Sequence, residues 1–141
     1  MENEIISENI IGKKRVLVIS YDFVGQNMAG PGIRFYELSK ILSAVCDVTL
    51  AVPNKIDIGT PGFRSFTYDL NNYKSIQKAI ESSDTIFIQG HLLYYFPYIR
   101  NFKGKIVVDL YNPFNLESLE MYRNENEAER VRIDKNNLNI L

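Results

Sequence analysis

Three groups of residues in this 141-residue sequence could do chemistry. The first is the turn Gly30-Pro31-Gly32, set between the apolar run Val16–Ser20 and a stretch with helical periodicity. Strand, glycine loop, helix is how α/β proteins build a phosphate site. Backbone N–H groups point out of the helix start, and glycine lets a ligand approach closely. The loop is not GxGxxG, since its glycines are Gly25, Gly30 and Gly32, and no GK[ST] follows to make a P-loop. A local role is equally open, with Gly30 capping the helix and Pro31 in its first turn.

The second group lies at the ends of apolar runs. It comprises Tyr21 and Asp22, then Gly90 and His91, then Asp109, Tyr111, Asn112 and Pro113. His91 is the only histidine. It is either a structural or exposed residue or a functional one. Asp109 either fixes a loop or caps a helix, or it faces a ligand. The third group is Leu92-Leu-Tyr-Tyr-Phe-Pro-Tyr98, which is either a helix packed on a sheet or a greasy acceptor surface or membrane contact. Zinc is excluded, because one histidine and one cysteine cannot supply three or four N/S ligands. There is no GxSxG or HExxH, and no Cys–His pairing at a plausible position.

The elements that must position these residues alternate. Strands are expected at Val16–Ser20, Asp47–Val52, Phe63–Tyr68, Asp84–Gln89 and Lys105–Leu110, and helices at Gly32–Ala44, Tyr73–Ser82, Leu93–Phe102, Asn115–Arg123 and about residues 126–138. The first helix is expected to turn Ile33, Leu38, Ile41, Leu42 and Val45 inward, and the second Tyr73, Ile76 and Ile80. Continuous apolar strands alternating with helices imply a parallel sheet covered on both faces. Right-handed crossovers favour the order 3-2-1-4-5. The ends of the first and fourth strands then flank the switch-point crevice where such sheets bind ligands. That puts Asp22, the glycine turn, Gly90, His91 and Asn112 on its rim.

The composition, 45% hydrophobic and 23% charged, is that of an ordinary globular domain. A net charge of −1 gives no sign of nucleic-acid binding. Cys46, the single cysteine, rules out an internal disulfide and fits a reducing compartment. No run is long enough to span a bilayer, and the acidic start lacks a signal peptide's basic region, so a cytoplasmic protein is expected. Residues 1–13 are expected to be a flexible lead, and residues 14–141 a single domain.

The segments KRVLVISYDF, MAGPGIRFYELSKILS, DTIFIQGH and KIVVDLYNPFNLESLE together carry a family resemblance. They resemble the N-terminal domain of bacterial GT-B glycosyltransferases, most of all the family-four retaining enzymes. The specific parts are the AGPGIR loop and the run Asp109-Leu-Tyr-Asn-Pro-Phe-Asn-Leu-Glu117. The resemblance implies the acceptor-side, Rossmann-like half of a nucleotide-sugar-dependent transferase, for a cell-surface glycan. Gly30, Pro31 and Gly32 would face the donor diphosphate. His91, Asp109 and Tyr111 are the catalytic candidates. Many relatives carry a histidine after the fifth strand, whereas this chain has Tyr111-Asn112 there and His91 after the fourth.

The implied partners are a nucleotide-sugar donor, a glycan or lipid-linked acceptor, and a donor-binding domain in cis or trans. No metal is implied, and the nucleotide sugar is a co-substrate, not a cofactor. The chain is expected to be truncated before its last strand and that domain, inactive alone, prone to self-association, and in peripheral contact with the inner face of the membrane. Two alternatives stand beside this: a non-catalytic partner module of a split transferase, and another nucleotide-binding α/β domain. Against the latter, the second strand ends in Pro53-Asn54, with no acid placed for a ribose.

Overall fold

A computed structural model describes residues 12–110 and 114–138. Tyr111, Asn112 and Pro113 fall outside the described residues, as does the expected flexible lead up to residue 11. The strands are β1 (Arg15–Ile19), β2 (Asp47–Val52), β3 (Arg64–Thr67), β4 (Thr85–Gln89) and β5 (Lys105–Asp109). They form one sheet in the order β3-β2-β1-β4-β5. Every pairing is parallel, with Val18 beside Leu50 on one side and Phe87 on the other. This is the expected Rossmann-like α/β architecture.

Side-chain alternation along the strands divides the core in two. On one face Val16, Val18, Val48, Leu50 and Val52 pack with Val24 and Phe35, under α1 (Gly30–Ser43). On the other, Leu17, Ile19, Ile86 and Ile88 pack under α2 (Lys74–Glu81), α3 (Leu92–Tyr95) and the 3₁₀ turn Pro97–Asn101. Beyond β5 come α4 (Phe114–Met121) and α5 (Glu127–Leu138). Asn126 caps α5, its Oδ1 accepting the Glu129 N–H at 3.0 Å.

Helix α2 turns Ile76 and Ile80 inward, as its periodicity requires. Helix α1 does not follow expectation. Its buried stripe is Gly32, Phe35 and Ser39, with Leu42 half-buried below, while Ile33, Ile41 and Val45 are 47%, 69% and 70% exposed. The inward stripe contains a glycine and a serine, so a count of apolar residues chooses the wrong side. The buried serine is tolerated because its Oγ donates to the Phe35 carbonyl at 2.8 Å. Phe35 meets Phe87 edge-on, with centroids 6.2 Å apart.

The helix start also differs. Ala29 is the N-cap, so Gly30 and Pro31 are the first two helical residues. The helix expected over Leu93–Phe102, with a delay or kink at Pro97, is interrupted there: α3 ends at Tyr95, and Phe96, at φ −124° and ψ 69°, leads into the 3₁₀ turn that Pro97 opens.

Candidate functional site

The C-terminal ends of β1 and β4 lie side by side, and their residues build the floor of the crevice. Gln89, last in β4 and buried, is held at both ends of its amide. Its Oε1 accepts the Tyr21 backbone N–H, and its Nε2 donates to Asp22 Oδ2 at 2.8 Å. Ser20 Oγ donates to the Asp22 carbonyl at 2.8 Å, and Tyr68 Oη donates to the Ser20 carbonyl at 2.8 Å. Burial pushes the Tyr68 phenol well above its usual range, so it stays a neutral donor. Buried polar groups joined in this way rigidify a site.

An aromatic platform stands on that floor. Tyr21 stacks on His91 with centroids 5.6 Å apart and on Tyr95 at 5.4 Å. Its hydroxyl lies 3.3 Å from that of Tyr95. This hydrogen bond, and then partial burial, raise the Tyr21 phenol to about 12. His91 stands before the first turn of α3, and Tyr94 meets Tyr95 edge-on. The run from Leu92 to Tyr98 packs on the sheet in part. Leu92 and Phe96 enter the core, while Tyr94, Tyr95 and Tyr98 face outward.

The opposite wall is the start of α1. Arg34 grips Asp109 with two hydrogen bonds, Nε to Oδ2 at 2.6 Å and the terminal nitrogen to Oδ1 at 3.2 Å. The Asp109 side chain is 8% exposed and that of Arg34 51%, so the guanidinium is the accessible partner. Asp109 thus ties β5 to α1 at the crevice. Gly90 separates the walls, and a Cβ there would lie 3.1 Å from Leu110.

The loop between β1 and α1 is clamped from the end of β2. Asn54 accepts the Val24 N–H at 3.0 Å and donates to the Val24 carbonyl at 2.9 Å. Asp57 Oδ1 accepts the Gln26 N–H at 3.0 Å and occupies the space a Gly25 side chain would need. The polar residues after β2, where a dinucleotide site would keep an acid for ribose, are committed to this loop.

Gly32 carries the packing of the helix start. It is buried, and a Cβ there would collide with the Phe23 carbonyl oxygen and lie 3.1 Å from Met28 Cβ. Its missing side chain lets the helix start press on its own loop. Gly30 is exposed. The positive end of the α1 dipole remains at the crevice wall.

The structure therefore gathers Tyr21, Asp22, His91 and Asp109 round one crevice, joins Tyr95 of the aromatic run to them, and adds Gln89 and Arg34, which sequence reasoning missed. A signal existed for Gln89, a polar residue ending the apolar strand TIFIQ. None existed for the Arg34–Asp109 pair, 75 residues apart. Among the described residues no group of three or more His, Cys, Asp or Glu is placed to hold a metal ion, and no helix is long and apolar enough to cross a membrane. The arrangement offers flat aromatic faces, an imidazole, and a wall made of the α1 start and the Arg34–Asp109 ion pair. That is the chemistry of a polyhydroxylated or anionic ligand.

No family model matches the chain, and no curated protein matches it either. Among solved structures it is similar to the "putative epimerase" of Bacteroides thetaiotaomicron, at 15% identity and a TM-score of 0.46, over 68% of this chain and 46% of that one. The chain spans just under half the length of that protein.

Proposed function

We propose that this chain is the acceptor-side, Rossmann-like half of a nucleotide-sugar-dependent glycosyltransferase acting on a glycan or lipid-linked acceptor. The observation that carries the reading is the Tyr21–His91–Tyr95 platform, set on the Asp22–Gln89 floor between β1 and β4. Its ring faces suit the apolar faces of a sugar, and its phenol, imidazole and carboxylate suit the hydroxyls. Asp22 and His91 are the groups within reach of an acceptor hydroxyl in this reading.

The donor diphosphate would lie against the α1 start, where the helix dipole and Arg34 supply positive charge as the glycosidic bond breaks. The sugar-bearing side of the donor would be completed by a second domain, in cis or trans. The reading needs no metal, because those groups supply the field. The commitment of Asn54 and Asp57 to the β1–α1 loop favours it over a dinucleotide site. The test is saturation-transfer NMR on the chain with UDP-glucose, GDP-mannose and NAD. A nucleotide sugar is expected to receive saturation on its diphosphate-proximal protons, with NAD weaker. Equal or stronger transfer to NAD, or none to any nucleotide sugar, refutes it.

A further inference from the structure

We propose that the groove between α2 and the 3₁₀ turn Pro97–Asn101 is a second saccharide site, separate from the crevice between β1 and β4. The cavity measures about 580 Å³, within the range of about 300–1,000 Å³ usual for ligand pockets. Its lining separates apolar faces from polar edges. Tyr73 and Tyr98 pack against each other, 5.4 Å apart centroid to centroid and tilted by 42°, and form one aromatic wall. Ile80 and Phe102 line it below.

The floor is preformed. A Cβ on Gly104 would collide with the Asp84 carbonyl oxygen and the Phe102 ring, so glycine there lets that ring lie flat against the chain. The polar edge is preformed too, since Gln77 Nε2 donates to Glu81 Oε1 at 2.7 Å, one helical turn apart. Asn101 and Lys103 line the other side.

These features select the ligand. One acid and one base, Glu81 and Lys103, leave the lining balanced, which argues against a strongly charged ligand. An aromatic wall accepts a molecule with an apolar face, and the amide, carboxylate and ammonium accept one rich in hydroxyls round its edge. A pyranose has both properties. Burial, and then the Glu81 charge, hold the Tyr73 phenol above its usual range, which keeps it a neutral donor toward a hydroxyl. A transferase that builds or extends a polymer would gain from a second hold on the same acceptor, because linked sites raise effective concentration. The groove stands without that role, since its residues take no part in the crevice.

The test is a proton–nitrogen NMR titration of the full chain with cellobiose, maltose and N,N′-diacetylchitobiose, and with p-cresol as an apolar control. At least one disaccharide is expected to shift the amides of residues 77–81 and 98–104, with a Kd on the order of 1 mM. Tyr98 is 62% exposed, so Tyr98→Ala should keep the spectrum of a folded protein and weaken binding about tenfold. Glu81→Gln should weaken it less, and Tyr21→Ala should leave it unchanged. Three results would overturn the proposal: no shift at these amides with any disaccharide, shifts that survive Tyr98→Ala, or tighter binding of p-cresol than of every sugar. Shifts confined to residues 20–22 and 89–95 would also overturn it, while supporting the crevice as the sugar site.

Discussion

Gly32→Ala tests the packing of the β1–α1 loop directly. The added Cβ would collide with the Phe23 carbonyl oxygen, lie 3.3 Å from that carbonyl carbon and 3.1 Å from Met28 Cβ. Two of the three obstacles are backbone atoms. They cannot rotate away, and their loop is pinned through Val24 by Asn54 and through Gln26 by Asp57. Overpacking of this kind costs about 1–3 kcal/mol. Gly32 lacks a positive φ, so alanine suits the helical backbone and returns up to about 1 kcal/mol of propensity. The expected net loss is about 1–2 kcal/mol, or roughly 3–7 °C in Tm for a chain this size.

The assay is urea unfolding with thermal melting. Gly59→Ala is the control, because a Cβ there meets nothing within 4 Å. That variant should stay within about 0.5 kcal/mol of the parent. If Gly32→Ala melts at or above the parent temperature, the packing account is wrong. A stable Gly32→Ala chain that loses nucleotide-sugar binding would instead restore the access role that the glycine turn suggests.

Three further expectations follow from the crevice. Tyr21 should titrate near 12, and Tyr95→Phe should lower that value, as read by phenolate absorbance. Because the folded state raises this pKa, its contribution to stability is full below the ordinary value near 10 and is lost as pH climbs through about 12. An unchanged Tyr21 titration in the variant would deny the hydroxyl pair. Arg34→Ala takes two hydrogen bonds from a carboxylate that is 8% exposed, and should cost about 1–2 kcal/mol at neutral pH, less than a fully buried pair because the guanidinium is half-exposed. Arg34→Lys should recover only part, since a lysine cannot grip both oxygens in the same fork. Urea unfolding of both variants measures this. The purified chain should show no sugar transfer above background across common donors, since transition-state stabilisation needs groups on both sides of the donor. Robust turnover in a radiolabel assay would refute the half-site reading.

The sheet was legible because β1, β2 and β4 are short, largely apolar runs bounded by polar turns. Parallel pairing buries both faces, which removes the alternation an antiparallel edge would show. Helix α2 was legible for a similar reason, as Ile76 and Ile80 have no rival stripe. Helix α1 was not, because Gly32 and Ser39 sit where apolar residues would be counted and their fitness rests on tertiary facts. One accommodates the Phe23 carbonyl, and the other satisfies its own hydroxyl at Phe35. The rim positions of Asp22, Gly90, His91 and Asp109 followed from strand order alone. Their chemistry did not, since Gln89, Tyr95 and Arg34 join them only through contacts about 70 residues apart in sequence. Asn54, which looked like the absence of a ribose acid, acts as the loop clamp.

In the proposed function the crevice between β1 and β4 receives the donor with its diphosphate at the start of α1 and its sugar end reaching the aromatic platform that holds the acceptor. Backbone-amide NMR of the full chain with UDP-glucose and GDP-mannose tests it most directly. For the better ligand, the largest shifts should fall on Tyr21, Asp22, residues 30–34 and residues 89–95, and Tyr95→Ala should abolish most of them. Shifts that avoid these residues, or that are unmoved by Tyr95→Ala, would contradict the account.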